Sequence, residues 1–209
     1  ALGDIPHKRH TQFRKSDGGL YREEVMGLEG FHGHAALLYH HFLPPRVLKT
    51  EYLGDAKVDY SAYGALRHRA FATAGAPAGG DPVAARRALL GNNDVGLSVS
   101  RATQSMDYYY RNAQAYETWF VHEGAGVLRT QFGRIPFASG DYLVIPFGVT
   151  WKMELGTAEG RFFVIESRGQ INTPSRYRND YGQLLEHAPP EAARAARLRR
   201  SRRGTSARA

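Results

Sequence analysis

The stretch "NAQAYETWFVHEGAGVLRTQFGRIPFASGDYLVIPFGVTWKM", Asn112 to Met153, decides the fold. Runs of β-branched and aromatic residues, "ETWFVH", "GVLRTQF" and "YLVIPF", alternate with glycine-bearing breaks. Each run has the length of a strand, and each break has turn chemistry. Glu123-Gly124-Ala125-Gly126 reads as a tight hairpin joining Trp119–His122 to Val127–Phe132. Ser139-Gly140-Asp141 reads as the turn before Tyr142–Ile145. The same texture extends upstream through "VGLSVS" and "MDYYYR" and downstream through "RFFVIES". Strands at this spacing predict a mainly β fold, an antiparallel barrel or sandwich built from Val95 to Ser167.

Within this frame, Glu117 stands seven positions before Gly124, and Gly140, Pro146 and Gly148 follow at fixed intervals. This spacing resembles the cupin family, whose two motifs supply a His-x-His pair, a glutamate and a further histidine to a divalent metal. On a strand, residues two apart point to one face, so such a pair aims both imidazoles inward. Here the histidine positions fall near Tyr110, at Asn112 and at Trp151. Only Glu117 remains, and one carboxylate does not hold a transition metal tightly. The sequence therefore predicts a cupin-like jelly roll without a metal site: no catalytic, cofactor-binding or metal-ligating residue is assigned.

Three segments, His7–Phe31, Glu117–Trp151 and Ser175–Pro189, together resemble homogentisate 1,2-dioxygenase, in register over residues 1–189. The resemblance implies Fe(II)- and O₂-dependent ring cleavage of homogentisate to maleylacetoacetate, in tyrosine and phenylalanine breakdown. It also implies homo-oligomers and two linked barrels, with the iron held in the C-terminal one. By that resemblance this chain carries the metal-free barrel. The iron ligands have no matching positions here, so no bound Fe(II) and no activity are expected of this chain alone. The alternative is a metal-free cupin acting as a small-molecule-binding or assembly module.

The rest of the chain divides accordingly. Residues 1–94 are expected to form an extension packing on the barrel, residues 95–170 the barrel core, and residues 171–189 a linker toward a second barrel. Residues 1 to about 25 read as irregular, with Gly18-Gly19 as a turn. Gly27–Pro44 reads as a strand or short helix with Leu37, Leu38 and Phe42 on one side. Ala72–Asp81 is a glycine- and alanine-rich loop, and Asp81–Leu90 reads as a helical turn or two, with Asp81 as N-cap and Pro82 at the first position. Residues 190–209 leave the pattern. They hold seven arginines and one acid, a net +6 of the chain's +8. With Leu198 as the one large apolar residue there, the tail is expected to be disordered. An Arg/Ala/Gly/Ser run is what a GC-rich gene yields out of frame, so a frameshifted or truncated product is expected.

The charge distribution bears on partners. The first 189 residues carry only +2, so the basic excess predicts polyanion stickiness in the tail and no specific nucleic-acid function. No apolar run approaches a membrane span, no secretory signal pattern opens the chain, and there is no cysteine. A cytoplasmic protein without membrane attachment is expected.

Several other residues admit a sharp and a bland reading. His32 and His34 form a two-histidine pair if they lie on a strand, but flanking glycines favour a loop. His40 and His41 are adjacent and point to opposite faces of a strand. His122 reads as a rim histidine, and its odd spacing from Glu117 puts the two on opposite faces. Tyr108, Tyr109, Tyr110 and Trp119 could stack an aromatic ligand, although core packing is the commoner use of alternating aromatics. Tyr177, Arg178, Asn179 and Tyr181 line either an interface or a surface loop.

Overall fold

The computed structural model describes residues 12–55, 58, 67–181, 183–186 and 188. The basic tail after Pro189 and the opening residues 1–11 lie outside the described residues. Residues 1–170 and 171–209 are two separate units. The first holds β1 (Arg22–Glu29), β2 (His32–His40), β3 (Arg86–Gly91), β4 (Val95–Ala102), β5 (Tyr110–Arg111), β6 (Tyr116–Glu123), β7 (Ala125–Thr130), β8 (Gly133–Ala138), β9 (Tyr142–Ile145), β10 (Thr150–Leu155) and β11 (Gly160–Ser167). All of their pairings are antiparallel.

The strands form a five-stranded sheet of order β3-β4-β11-β6-β9, a four-stranded sheet of order β5-β10-β7-β8, and the β1-β2 hairpin. From β4 onward the chain passes back and forth between the two larger sheets, the signature of a jelly roll. The predicted mainly β, cupin-like architecture is present, with the difference that the sheets face each other without closing into a continuous barrel. Trp119, Val121, Phe162 and Val164 from one sheet meet Leu128, Phe137, Trp151 and Met153 from the other in one buried cluster. The cluster is dominated by edge-on rings: Trp119 lies 5.5 Å from Trp151 and 5.6 Å from Phe162. Burying each such side chain stabilises the fold by roughly 1.5–3 kcal/mol.

Three sequence expectations are corrected. Glu123–Gly126 is not a hairpin. β6 belongs to the five-stranded sheet and β7 to the four-stranded one, so Gly124 is the corner between sheets. Its φ is +100°, and a Cβ there would stand 2.8 Å from the Glu159 carbonyl oxygen. The true hairpin follows β7, turning at Gln131-Phe132 into β8. β8 escaped notice because Pro136 disguises it; the proline is tolerated because β8 is an edge strand.

Asp81 does cap a turn, accepting from the amides of Val83 (2.8 Å) and Ala84 (3.1 Å). No helix follows: after that single turn Arg86–Gly91 becomes β3, paired with β4. The N-terminal segment is less irregular than expected. Gly18 makes the foreseen turn, with its amide 3.0 Å from the Lys15 carbonyl, and residues from Arg22 onward form the β1-β2 hairpin. Met26 of that hairpin packs against the core cluster. The turn before β9 is where the sequence placed it, with Gly140 at φ +91°.

The second unit has a single 3-10 turn at Ser175–Tyr177 and an isolated bridge from Arg178 to Leu184 among its described residues. The Asn179 carboxamide accepts from the amides of Tyr181 (3.0 Å) and Gln183 (2.9 Å), an Asx-type turn that leaves Tyr181 exposed. Arg176 stacks over Tyr177, 4.7 Å from its ring centre.

Candidate functional site

The inward face of β6 carries Glu117, Trp119 and Val121, and all three are buried. A carboxylate on that face sits in the apolar core and requires a charged or hydrogen-bonded partner. Its neighbour in register on β11 is Glu166, a second carboxylate directly opposite. Arg86 resolves the conflict. One end of its guanidinium donates to Glu117 Oε1 at 2.9 Å and the other lies 3.1 Å from Glu166 Oε1. Arg86 reaches from the edge strand β3 across β4, whose inner-face residues Gly96, Ser98 and Ser100 are small enough to leave it room. The guanidinium also lies over the Trp119 ring, 4.7 Å from its centre.

Asn112 completes the cluster. Its side-chain amide donates to Glu117 Oε1 (3.2 Å) and Glu166 Oε1 (3.0 Å), while its carbonyl oxygen accepts from the amides of Gln114 and Ala115. The indole of Trp119 donates weakly to Glu117 Oε2 at 3.4 Å. Burial pulls the Arg86 pKa down, but the charges of Glu117 and Glu166 outweigh it and hold it above the ordinary arginine value. Burial, with help from the Glu117 charge, pushes the Tyr110 phenol up to about 12.

These contacts settle what stands at the metal-ligand positions. Trp151 is fully buried, and Tyr110 is its register partner, with ring centres 5.4 Å apart. The indole nitrogen of tryptophan donates and offers no lone pair to a metal. Asn112 and Glu117 are committed to each other and to Arg86. A divalent iron beside Glu117 would meet the Arg86 guanidinium, and Tyr110, Asn112 and Trp151 bring no imidazole, so the donor set does not fit it. Among the described residues no group of three or more His, Asp or Glu is placed to hold a metal ion.

The other residues singled out in the sequence are scattered. His32 is exposed on β2, opposite Glu29 in register. The ring of His40 is 2.8 Å from Glu24 Oε2, and His41 stacks edge-on with Tyr21. His122 is exposed while Glu117 is buried, as their spacing predicted. Tyr108 donates to Asp81, Tyr109 lies under Lys152, and Trp119 is core. Arg86 and Glu166 were missed. The signal for Arg86 was present: "ARRALLGNNDVGLSV" is two apolar runs around Asn-Asn-Asp, a hairpin pattern that the strong cap at Asp81 obscured. The signal for Glu166 was its place in the alternation Phe162, Val164, Glu166.

A pocket of about 350 Å³ opens beside this cluster, between the β3-β4 turn (Asn92–Asp94), the loop after β5 (Asn112, Gln114, Ala115) and the end of β11 (Glu166, Arg168). A more apolar hollow of about 490 Å³ lies over outward-facing Leu89, Val99, Phe120 and Phe163 of the five-stranded sheet, with His122 and Arg161 also lining it.

No family model matches the chain. A Saccharolobus solfataricus protein named "Putative dioxygenase" is 38% identical over 185 residues, 88% of this chain and 47% of that protein. The chain is similar to it along nearly its whole length. It thus spans about half the length of this curated relative. Among solved structures, a cupin-2 domain containing protein of Shewanella frigidimarina is 24% identical, covering 40% of this chain and 79% of that one, with a TM-score of 0.36. The protein BH2720 of Bacillus halodurans is 16% identical over 42% of this chain and 73% of that one, with a TM-score of 0.38. No helix among the described residues is long and apolar enough to cross a membrane.

Proposed function

We propose that this chain is the metal-free, structural barrel of a cupin-type dioxygenase, and that the iron chemistry belongs to a second barrel. The observation that carries the reading is the Arg86–Glu117 pair. It engages Glu117, the one carboxylate that the motif spacing offers to a metal, and it ties β3 to β6 across the sheet. The similarity to a dioxygenase relative about twice as long supports the same division of labour. The finer assignment, from the resemblance of the three sequence segments, is cleavage of homogentisate by the two-barrel protein, with this half contributing packing and homo-oligomeric assembly.

Oxygen uptake tests it. With homogentisate and Fe(II), the Saccharolobus solfataricus relative consumes O₂ and the 209-residue chain does not. Sustained turnover by the purified chain would refute the assignment of chemistry to another barrel.

A further inference from the structure

The pocket beside the ion cluster is a binding site for a small zwitterion of the α-amino acid class, we infer. β11 and β4 pair in register up to Ser167–Val95, and the amide of Arg168 donates to the carbonyl of Asp94 at 3.0 Å, one step further. Asp94 and Arg168 therefore stand opposite each other across two strands, and Glu166 lies two residues back along the same wall, on the same face as Arg168. Yet the Asp94 carboxylate and the Arg168 guanidinium form no ion pair, and neither has a partner among the described residues. Glu166 is held in place through Oε1 by Arg86 and Asn112, while its Oε2 takes no partner. One cation and two carboxylates are thus presented in one wall, and Gln114 also lines the pocket.

The separation selects the ligand. Two residues along a strand span roughly 6.8 Å, enough for an ammonium at Glu166 and a carboxylate at Arg168 when both belong to one α-carbon. Asp94 offers the ammonium a second acceptor. Other ligands fit less well. No aromatic ring is among the described residues that line the pocket, so none of them stacks a sugar. The described lining carries two carboxylates and one guanidinium, a balance that repels phosphates. Arg168 in the wall opposes a divalent cation. The volume of about 350 Å³ leaves space for a short side chain beyond the α-carbon.

The test uses the full chain, with calorimetric titration and thermal shift. Glycine, L-serine and L-glutamine are expected to bind and raise the melting temperature. N-acetyl-L-serine, which lacks the ammonium, and L-serinamide, which lacks the carboxylate, are expected to fail. Arg168→Gln and Asp94→Asn should each weaken L-serine binding by about tenfold or more, as loss of a charge-assisted hydrogen bond implies. Their unliganded melting temperatures should match the parent, which shows that the loss is not unfolding. Four results would each overturn the inference: no shift with any free amino acid, equal shifts with the blocked compounds, binding intact in Arg168→Gln, or preference for glucose, inorganic phosphate or Ca²⁺.

Discussion

Replacing Arg86 with methionine removes the single cation between Glu117 and Glu166. The guanidinium side chain is 14% exposed and that of Glu117 is 1% exposed, so the pair is buried on both sides. Taking one partner from a buried pair typically costs about 3–5 kcal/mol, because the other charge remains stranded. Here two carboxylates would remain opposite each other in register, so about 4 kcal/mol is expected. Glu117→Gln is milder, at about 2 kcal/mol, because the carboxamide oxygen still accepts from Asn112 and Arg86 still has Glu166. The double variant should cost clearly less than the two singles together, with a coupling of about 2 kcal/mol. Urea unfolding read by fluorescence measures all four proteins, because the chain's two tryptophans are both in the core. A cost under about 1 kcal/mol for Arg86→Met, or strict additivity in the cycle, would refute the reading of this cluster as a coupled, buried unit.

Two further predictions concern the frame. Gly124→Ala places a Cβ 2.8 Å from the Glu159 carbonyl in a left-handed corner, and should lower stability by at least about 2 kcal/mol in the same urea assay; a neutral result would contradict the corner geometry. Hydrogen bonds from Arg101 and then Arg161 hold the Glu159 carboxyl down to about 2, below its ordinary 4.5. A lowered folded pKa gives stability that is present above about pH 4.5 and lost as pH falls toward 2, so Glu159→Gln should flatten the acid limb of melting temperature against pH, and parallel profiles would contradict it.

The parts of the fold legible in the sequence were those that local chemistry dictates. Alternation in β6 and β11 announced strands, and the glycine at position 140 announced a turn. Topology was less legible. Nothing local distinguishes a hairpin from a corner at Glu123–Gly126; the difference lies in which strand pairs with β6, and β11 is nearly forty residues away. The Asp81 cap was read correctly and over-extended, because a cap specifies one turn and tertiary pairing decided the next residues. At the site, absence of histidines at Asn112 and Trp151 was plain in the sequence. The partner of Glu117 was not, since Arg86 meets it only through a sheet that no local pattern describes.

If the buried Arg86–Glu117 ion pair leaves no place for a metal, anaerobic loading of the chain with Fe(II), followed by dialysis and elemental analysis, finds far less than one iron per chain, with no change in Glu117→Gln. Retention of close to one iron per chain, lost in Glu117→Gln, would contradict it.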